Sequence, residues 1–145
     1  MKKFKIGNTH IGDNSKIYFI ADIAANHDGN LFRAKKLIRM CAKAGANAAK
    51  FQHFKAETIV SEAGFINIGK ITHQSKWKKS VFQVYKDASI NPEWTRELKK
   101  ECNKNKIDFL TSPYDLNYVD EVNKFIPAYK IGSGEVTNFL LLEKI

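Results

Sequence analysis

Four times along this chain a short apolar run, bounded by turn residues, alternates with a stretch of helical periodicity. The runs cover 17–23, 48–52, 107–113 and 127–131. Each has strand length, and the first is almost continuously apolar, as in a parallel strand covered on both faces. Leu31, Ala34, Leu37, Ile38, Cys41 and Ala42 recur at helical spacing after the first run, and Gly45 ends that helix. Asn91 and Pro92 form a helix start ahead of Trp94, Leu98 and Cys102. Asp115 can cap a helix whose inner face holds Leu116, Val119 and Val122, and a last helix begins near Phe139. Strand–helix repetition with short loops before the strands implies parallel strands joined by right-handed crossovers. The polar residues of interest sit at the C-terminal ends of the strands, the face that carries the sites of (β/α)8 barrels. The expected fold class is therefore α/β, of the (β/α)8 TIM-barrel type. This chain supplies about the first four β/α units, preceded by a β-hairpin over 4–11 that turns on Gly7 and Asn8 in type II′ geometry. Half a barrel leaves open sheet edges, so the chain reads as a fragment of a longer protein.

The net charge of +9 raises the question of nucleic acid. The lysines are scattered through helices and a loop, arginine is scarce, and no aromatic recognition pattern accompanies them. We read them as solvated faces with some steering of an anionic substrate, and expect no nucleic-acid partner. No run is long and apolar enough to span a bilayer, and the first residues lack the apolar core of a signal peptide. The expectation is a cytoplasmic protein with no membrane partner. Cys41 and Cys102 fall on different helices without metal-ligand spacing and read as reduced, small apolar residues.

The stretch 128–135 (AYKIGSGE) places a lysine inside an apolar strand that exits through a Gly-Ser-Gly turn. A buried ammonium is costly unless paired, so Lys130 is either at the surface or faces an anion. The second strand repeats the pattern. Side chains alternate along it, so Lys50 and Gln52 share one face while Ala49 and Phe51 pack against helices on the other. Lys50 and Lys130 stand on strands two and four, which contribute to the same interior layer of a barrel. Two ammonium groups there repel unless an anion lies between them. Ser112 at the exit of strand three and Ser133 in the Gly-Ser-Gly turn would complete a phosphate or carboxylate cradle. The alternative is that one lysine reaches solvent or pairs with Asp22.

The connection 56–90 is long for a compact unit. A short helix with Trp77, Val81, Val84 and Tyr85 on one side would make it a partly ordered lid, or simple packing beneath a loop. His10 reads as a hairpin side chain and His53 as a structural residue on the strand face opposite Gln52, while His27 either contacts substrate or shapes its loop. His73 falls in the lid and fits either role.

Four stretches carry a resemblance: 19–29 (FIADIAANHDG), 44–52 (AGANAAKFQ), 109–115 (FLTSPYD) and 129–138 (YKIGSGEVTN). In this order they resemble the N-acetylneuraminate (sialic acid) synthase family. The resemblance implies a (β/α)8 barrel followed by a small antifreeze-like domain. Residues 1–16 would be the N-terminal hairpin and 17–145 the N-terminal half of the barrel, with the C-terminal half and the antifreeze-like domain absent. It implies condensation of phosphoenolpyruvate with the open-chain aldehyde of an N-acetylated hexosamine of the N-acetylmannosamine type, giving a nonulosonic acid and phosphate. It also implies that Lys50, Ser112, Lys130 and Ser133 hold phosphoenolpyruvate. Gln52 and Glu135 match residues on the sugar side, and Asp22 and Glu135 take the catalytic positions. Asp22 stands where many members have glutamate, and Ser112 where threonine is common. Asn26 and His27 match the family's Asn-His pair. A divalent manganese or magnesium ion would serve the complete enzyme, a homodimer, but its histidine ligands belong to later strands, so no metal ligand is assigned in this chain. Two further readings stay open. One is another phosphoenolpyruvate-dependent aldose condensation of the octulosonate phosphate synthase type. The other is a truncated, non-catalytic binding or assembly module.

Overall fold

A computed structural model of the chain describes residues 3–68 and 77–145. Strand β1 (Phe4–Ile6) pairs antiparallel with β2 (Thr9–Ile11). Gly7 carries a φ of +57° at the turn and Asn8 does not turn left-handed, as the type II′ expectation requires. A Cβ on Gly7 would press within 3.1 Å of the Asp108 carboxylate, so the hairpin tip approaches the sheet more closely than another residue would allow.

The sheet proper is parallel, in the order β3 (Ile20–Ala24), β4 (Ala48–His53), β5 (Asp108–Pro113). Between β3 and β4 runs α1 (Leu31–Lys43). Between β4 and β5 run α2 (Ala56–Ile59), α3 (Glu62–Ile68), α4 (Val81–Ala88) and α5 (Trp94–Lys104). After β5 come α6 (Leu116–Asn123), a 3-10 turn (Ser133–Glu135) and α7 (Phe139–Lys144). Asn30 caps α1, and Gly45 takes a φ of +90° where that helix stops. The core lies between one face of the sheet and α1 with α5: Ala34, Ile38, Leu98 and Cys102 from the helices meet Ala49, Phe51 and Phe109 from the strands. Salt bridges from Lys35 to Glu97 and from Arg39 to Glu101, each 3.0 Å, fasten the outer flanks of the two helices. Both cysteines are free, with Cys102 buried in this core.

Three expectations change. The first strand begins only at Ile20, and Ile17 and Phe19 are 73% and 58% exposed. Among the described residues β3 is an edge strand, and the apolar residues before it are not covered on both faces. The fourth strand shrinks to one bridge, Thr111 to Tyr129, with the Lys130 amide donating to the Thr111 carbonyl at 3.1 Å. Among the described residues the sheet does not close into a barrel, and beyond β5 its pairing is limited to this bridge. On α6 the buried face is Tyr118, Val119 and Val122, while Leu116 is exposed. Leu116 and Tyr118 are two residues apart, so they point to opposite sides of a helix.

Candidate functional site

Alternation along β4 sorts the functional side chains. Phe51 and His53 face the helices with Ala49; Lys50 and Gln52 face the other way. In register, Asp22 lies beside Lys50 and Lys50 beside Leu110, while Gln52 lies beside Ser112. Lys50 Nζ meets Asp22 Oδ1 at 2.8 Å. The lysine side chain is 5% exposed and the aspartate 62%, so a buried ammonium is balanced by a carboxylate still largely in water. Of the two arrangements open to this lysine, pairing with Asp22 is the one observed. The Ser112 hydroxyl is buried and lies near the Tyr114 phenol without a hydrogen bond of ordinary geometry.

Gln52 Nε2 donates to Tyr114 Oη at 3.0 Å. Glu135 folds back over Gly132 so closely that any Cβ there would collide with its carboxylate and come within 3.5 Å of Tyr114 Oη. Gly132 has an ordinary φ of −69°, so another residue there would require only that the Glu135 side chain swing aside. Burial pushes the Tyr114 phenol above its usual pKa, and the Glu135 charge adds to the rise against the bond from Gln52. The phenol therefore stays protonated and able to donate.

Gln52, Tyr114, Glu135 and Asn26 open onto a cleft of about 580 Å³. Its remaining wall is apolar and aromatic, with Phe54, Ile59, Val84 and Tyr85 prominent and Trp77 at its margin. The described parts of the long connection fold into short helices that form one side of the cleft. His73 lies outside the described residues.

The β3–α1 loop forms the cleft's other rim. A bulge between Asp22 and Ala24 re-aims the strand exit, and Ala24 and Asp28 adopt left-handed backbone at φ 51° and 49°. Buried His27 anchors this loop from below. Its Nδ1 accepts from the Gly29 amide at 3.2 Å, and its ring meets Trp94 edge-on at 5.9 Å. His53 is a second buried anchor, with Nδ1 at 2.8 Å from Thr111 Oγ1 and Nε2 at 2.9 Å from Thr95 Oγ1. Burial holds it neutral, with a pKa near 4, and the neighbouring His27 lowers it further. Both rings are buried within the fold, and exposed His10 is a hairpin side chain.

Lys130 and Ser133 are exposed. The Thr111–Tyr129 bridge sets Lys130 level with Ser112 and Gln52, one step beyond the row of Lys50 and Leu110. Tyr129, on the opposite face, donates to Asn123 Oδ1 on α6 at 3.0 Å. The structure therefore brings Asp22, Lys50, Gln52, Ser112 and Glu135 to one face and leaves Lys130 and Ser133 at its open margin. Sequence reasoning did not single out Tyr114, Phe54 or Ile59 as site residues. Tyr114 was legible only as the residue following the strand-three proline. Among the described residues, no three His, Cys, Asp or Glu side chains converge in a way that could hold a metal ion.

Residues 37–145 match the NeuB family. The chain is 37% identical to N,N'-diacetyllegionaminic acid synthase of Campylobacter jejuni over 134 residues, covering 90% of this chain and 39% of that protein. It is 31% identical to human N-acetylneuraminate-9-phosphate synthase over 137 residues, covering 92% of this chain and 37% of that one. Among solved structures, the N-acetylneuraminic acid synthetase of Leptospira borgpetersenii, crystallised with citrate, superposes with a TM-score of 0.82 at 27% identity, covering 99% of this chain and 45% of that one. The chain thus spans less than half the length of the relatives it matches. With most of its length under the family match, and with its sheet, helices and strand-end polar residues arranged as described, the chain belongs to the NeuB family.

Proposed function

We propose that this chain is the phosphoenolpyruvate-binding, N-terminal part of a (β/α)8 enzyme that condenses phosphoenolpyruvate with the open-chain aldehyde of an N-acetylated hexosamine. Carbon 3 of phosphoenolpyruvate attacks the aldehyde carbon, water adds to the cation left at carbon 2, and phosphate departs with its bridging oxygen. The products are a nonulosonic acid and phosphate. Lys50 and Lys130 neutralise the phosphoenolpyruvate anion, with hydroxyls from Ser112 and Ser133 donating to it. Gln52 and Glu135 orient the sugar, and Asp22 and Glu135 handle protons.

One observation carries this reading: a buried ammonium held by a mostly exposed aspartate, on the strand face that also carries the buried Ser112 hydroxyl. An entering anion replaces Asp22 as the counter-ion of Lys50 and accepts from Ser112. Asp22, displaced toward the cleft side, is then free to act as a base. The Leptospira protein was crystallised in complex with citrate, a polyanion as phosphoenolpyruvate is, which is in keeping with anion recognition.

A divalent manganese or magnesium ion belongs to the full reading, where it would polarise the aldehyde. The described residues of this chain do not form a site for it. The remaining strands, the antifreeze-like domain, the second subunit of a homodimer and a cytoplasmic setting complete the proposal. No helix among the described residues is long and apolar enough to cross a membrane.

The test is calorimetric titration of the chain with phosphoenolpyruvate. Binding is expected, and Lys50→Met weakens it by about 30-fold or more, the cost of removing a buried charged partner. Absent binding, or binding indifferent to Lys50, overturns the proposal. The chain alone is expected to release no phosphate from phosphoenolpyruvate and N-acetylmannosamine. The exposed edge residues Ile17 and Phe19 favour a second reading, an assembly module that dimerises through its open sheet. A stable dimer by size measurement, unchanged by phosphoenolpyruvate, would support that reading instead.

A further inference from the structure

Tyr114 stands between the anion side of the site and the cleft. It follows Ser112 by two residues at the end of β5, so alternation sends both side chains to the face that carries Gln52. The Tyr114 amide donates to the His53 carbonyl at 3.0 Å, which adds one bond to the pairing of β4 with β5. Its ring meets Phe54 edge-on at 6.3 Å. Held at both points, the phenol accepts from Gln52 Nε2 at 3.0 Å and lies near the Ser112 hydroxyl. Gln52 and Tyr114 line the cleft, whereas Ser112 is buried.

Counting hydrogens shows what the phenol can supply. A phenol oxygen accepts, and its one hydrogen donates. Here the oxygen takes an N–H from Gln52, while burial and the charges of Glu135 and Asp22 keep the phenol hydrogen in place. Ser112 also has a single hydrogen. A serine that gives it to an anion leaves its own buried oxygen without a donor, which is costly away from water. The neighbouring phenol has a hydrogen to give. The chain that results runs one way, from Gln52 N–H to Tyr114 O–H to Ser112 O–H to the anion, and each bond polarises the next. We propose that Tyr114 is a positioning residue that aims the Ser112 hydroxyl at the anion and, through the same oxygen, ties the Gln52 amide to it. This rests on the phosphoenolpyruvate reading given above.

The test is a double-mutant cycle read by calorimetric titration with phosphoenolpyruvate. Tyr114→Phe keeps the ring against Phe54 and removes only the oxygen. It should weaken binding about fivefold, the worth of one hydrogen bond. Ser112→Ala should weaken it by at least as much. In the Ser112→Ala chain, adding Tyr114→Phe should cost about twofold or less, because the phenol then has no hydroxyl to aim. In the Ser112→Thr chain, which keeps a hydroxyl, the loss on Tyr114→Phe should return. Unchanged binding by Tyr114→Phe overturns the inference. So do losses that multiply in the double variant, because the phenol would then act without Ser112. A chain unfolded by Tyr114→Phe would make the phenol a brace of the fold, which overturns it too. Each of these results leaves the phosphoenolpyruvate reading standing, since the unsubstituted chain still binds. If the unsubstituted chain does not bind phosphoenolpyruvate, both the reading and the inference fall.

Discussion

The two faces of β4 differ in how they treat their polar groups. On the helix side, His53 uses both ring nitrogens on threonine hydroxyls while Phe51 and Phe109 fill the space around it. On the other side, the Ser112 hydroxyl has the Tyr114 phenol near it without a hydrogen bond of ordinary geometry, and Lys50 is balanced by an aspartate that is mostly in water. A face that only holds the fold together closes its hydrogen bonds internally, because an unpaired buried group costs about 1–3 kcal/mol. A face that holds a buried ammonium through a carboxylate still in water leaves that counter-ion open to exchange. The contrast is not perfect, since His27 on the packed side also has an unpartnered Nε2, set against the Trp94 ring.

The contrast can be broken most forcefully on the packed side. Phe51→Ala should cost about 3–5 kcal/mol of stability in urea unfolding, as large cavities in cores do. A loss under about 1 kcal/mol would mean the helix-facing side is not the core that holds the chain.

Acid is the next lever. The unfolded chain protonates His53 near pH 6.5, whereas the folded chain resists until about pH 4. Stability is therefore complete above pH 6.5 and falls as pH drops toward 4, by about 3 kcal/mol from this ring. Burial lowers the His27 pKa as well, which acts in the same direction. His53→Gln should flatten the lower part of that profile, and a profile unchanged by the substitution would remove His53 from the account.

On the open side the same experiments should read differently. Lys50→Met should change stability by about 1 kcal/mol or less, because its partner is largely hydrated, while weakening phosphoenolpyruvate as stated above. A large stability loss would make the Asp22–Lys50 pair a structural device and blur the contrast between the faces. The smallest expected effect concerns the loop between them. Ala24→Gly relieves a left-handed backbone and should stabilise the chain by about 1 kcal/mol or less in thermal unfolding. A loss there would show that Ala24 is held by packing rather than against strain.

Much of the frame was legible beforehand, and particular residues show why. Period-two alternation along 48–53 assigned Phe51 and Lys50 to opposite faces, since a strand admits no other arrangement. Periodicity marked Ala34, Ile38, Leu98 and Cys102 as core, and Gly45 as the end of α1. The start of β3 and the fourth strand were overestimated. Strand pairing is a property of neighbours, and an apolar run shows nothing of which neighbour is present. Leu116 was placed inward and Tyr118 overlooked, because a short helix leaves its rotation to whatever it packs against.

The sequence by itself determined the alternation of strands and helices, the faces of each strand, and the set of polar groups delivered to the strand ends. These are local matters of period, capping and backbone freedom. Only the tertiary structure decided that Lys50 is held by Asp22, that Glu135 lies over Gly132, and that the long connection brings Phe54 and Tyr85 to the cleft. Those are choices among partners distant along the chain, fixed by which side chains remain within reach once the sheet has formed.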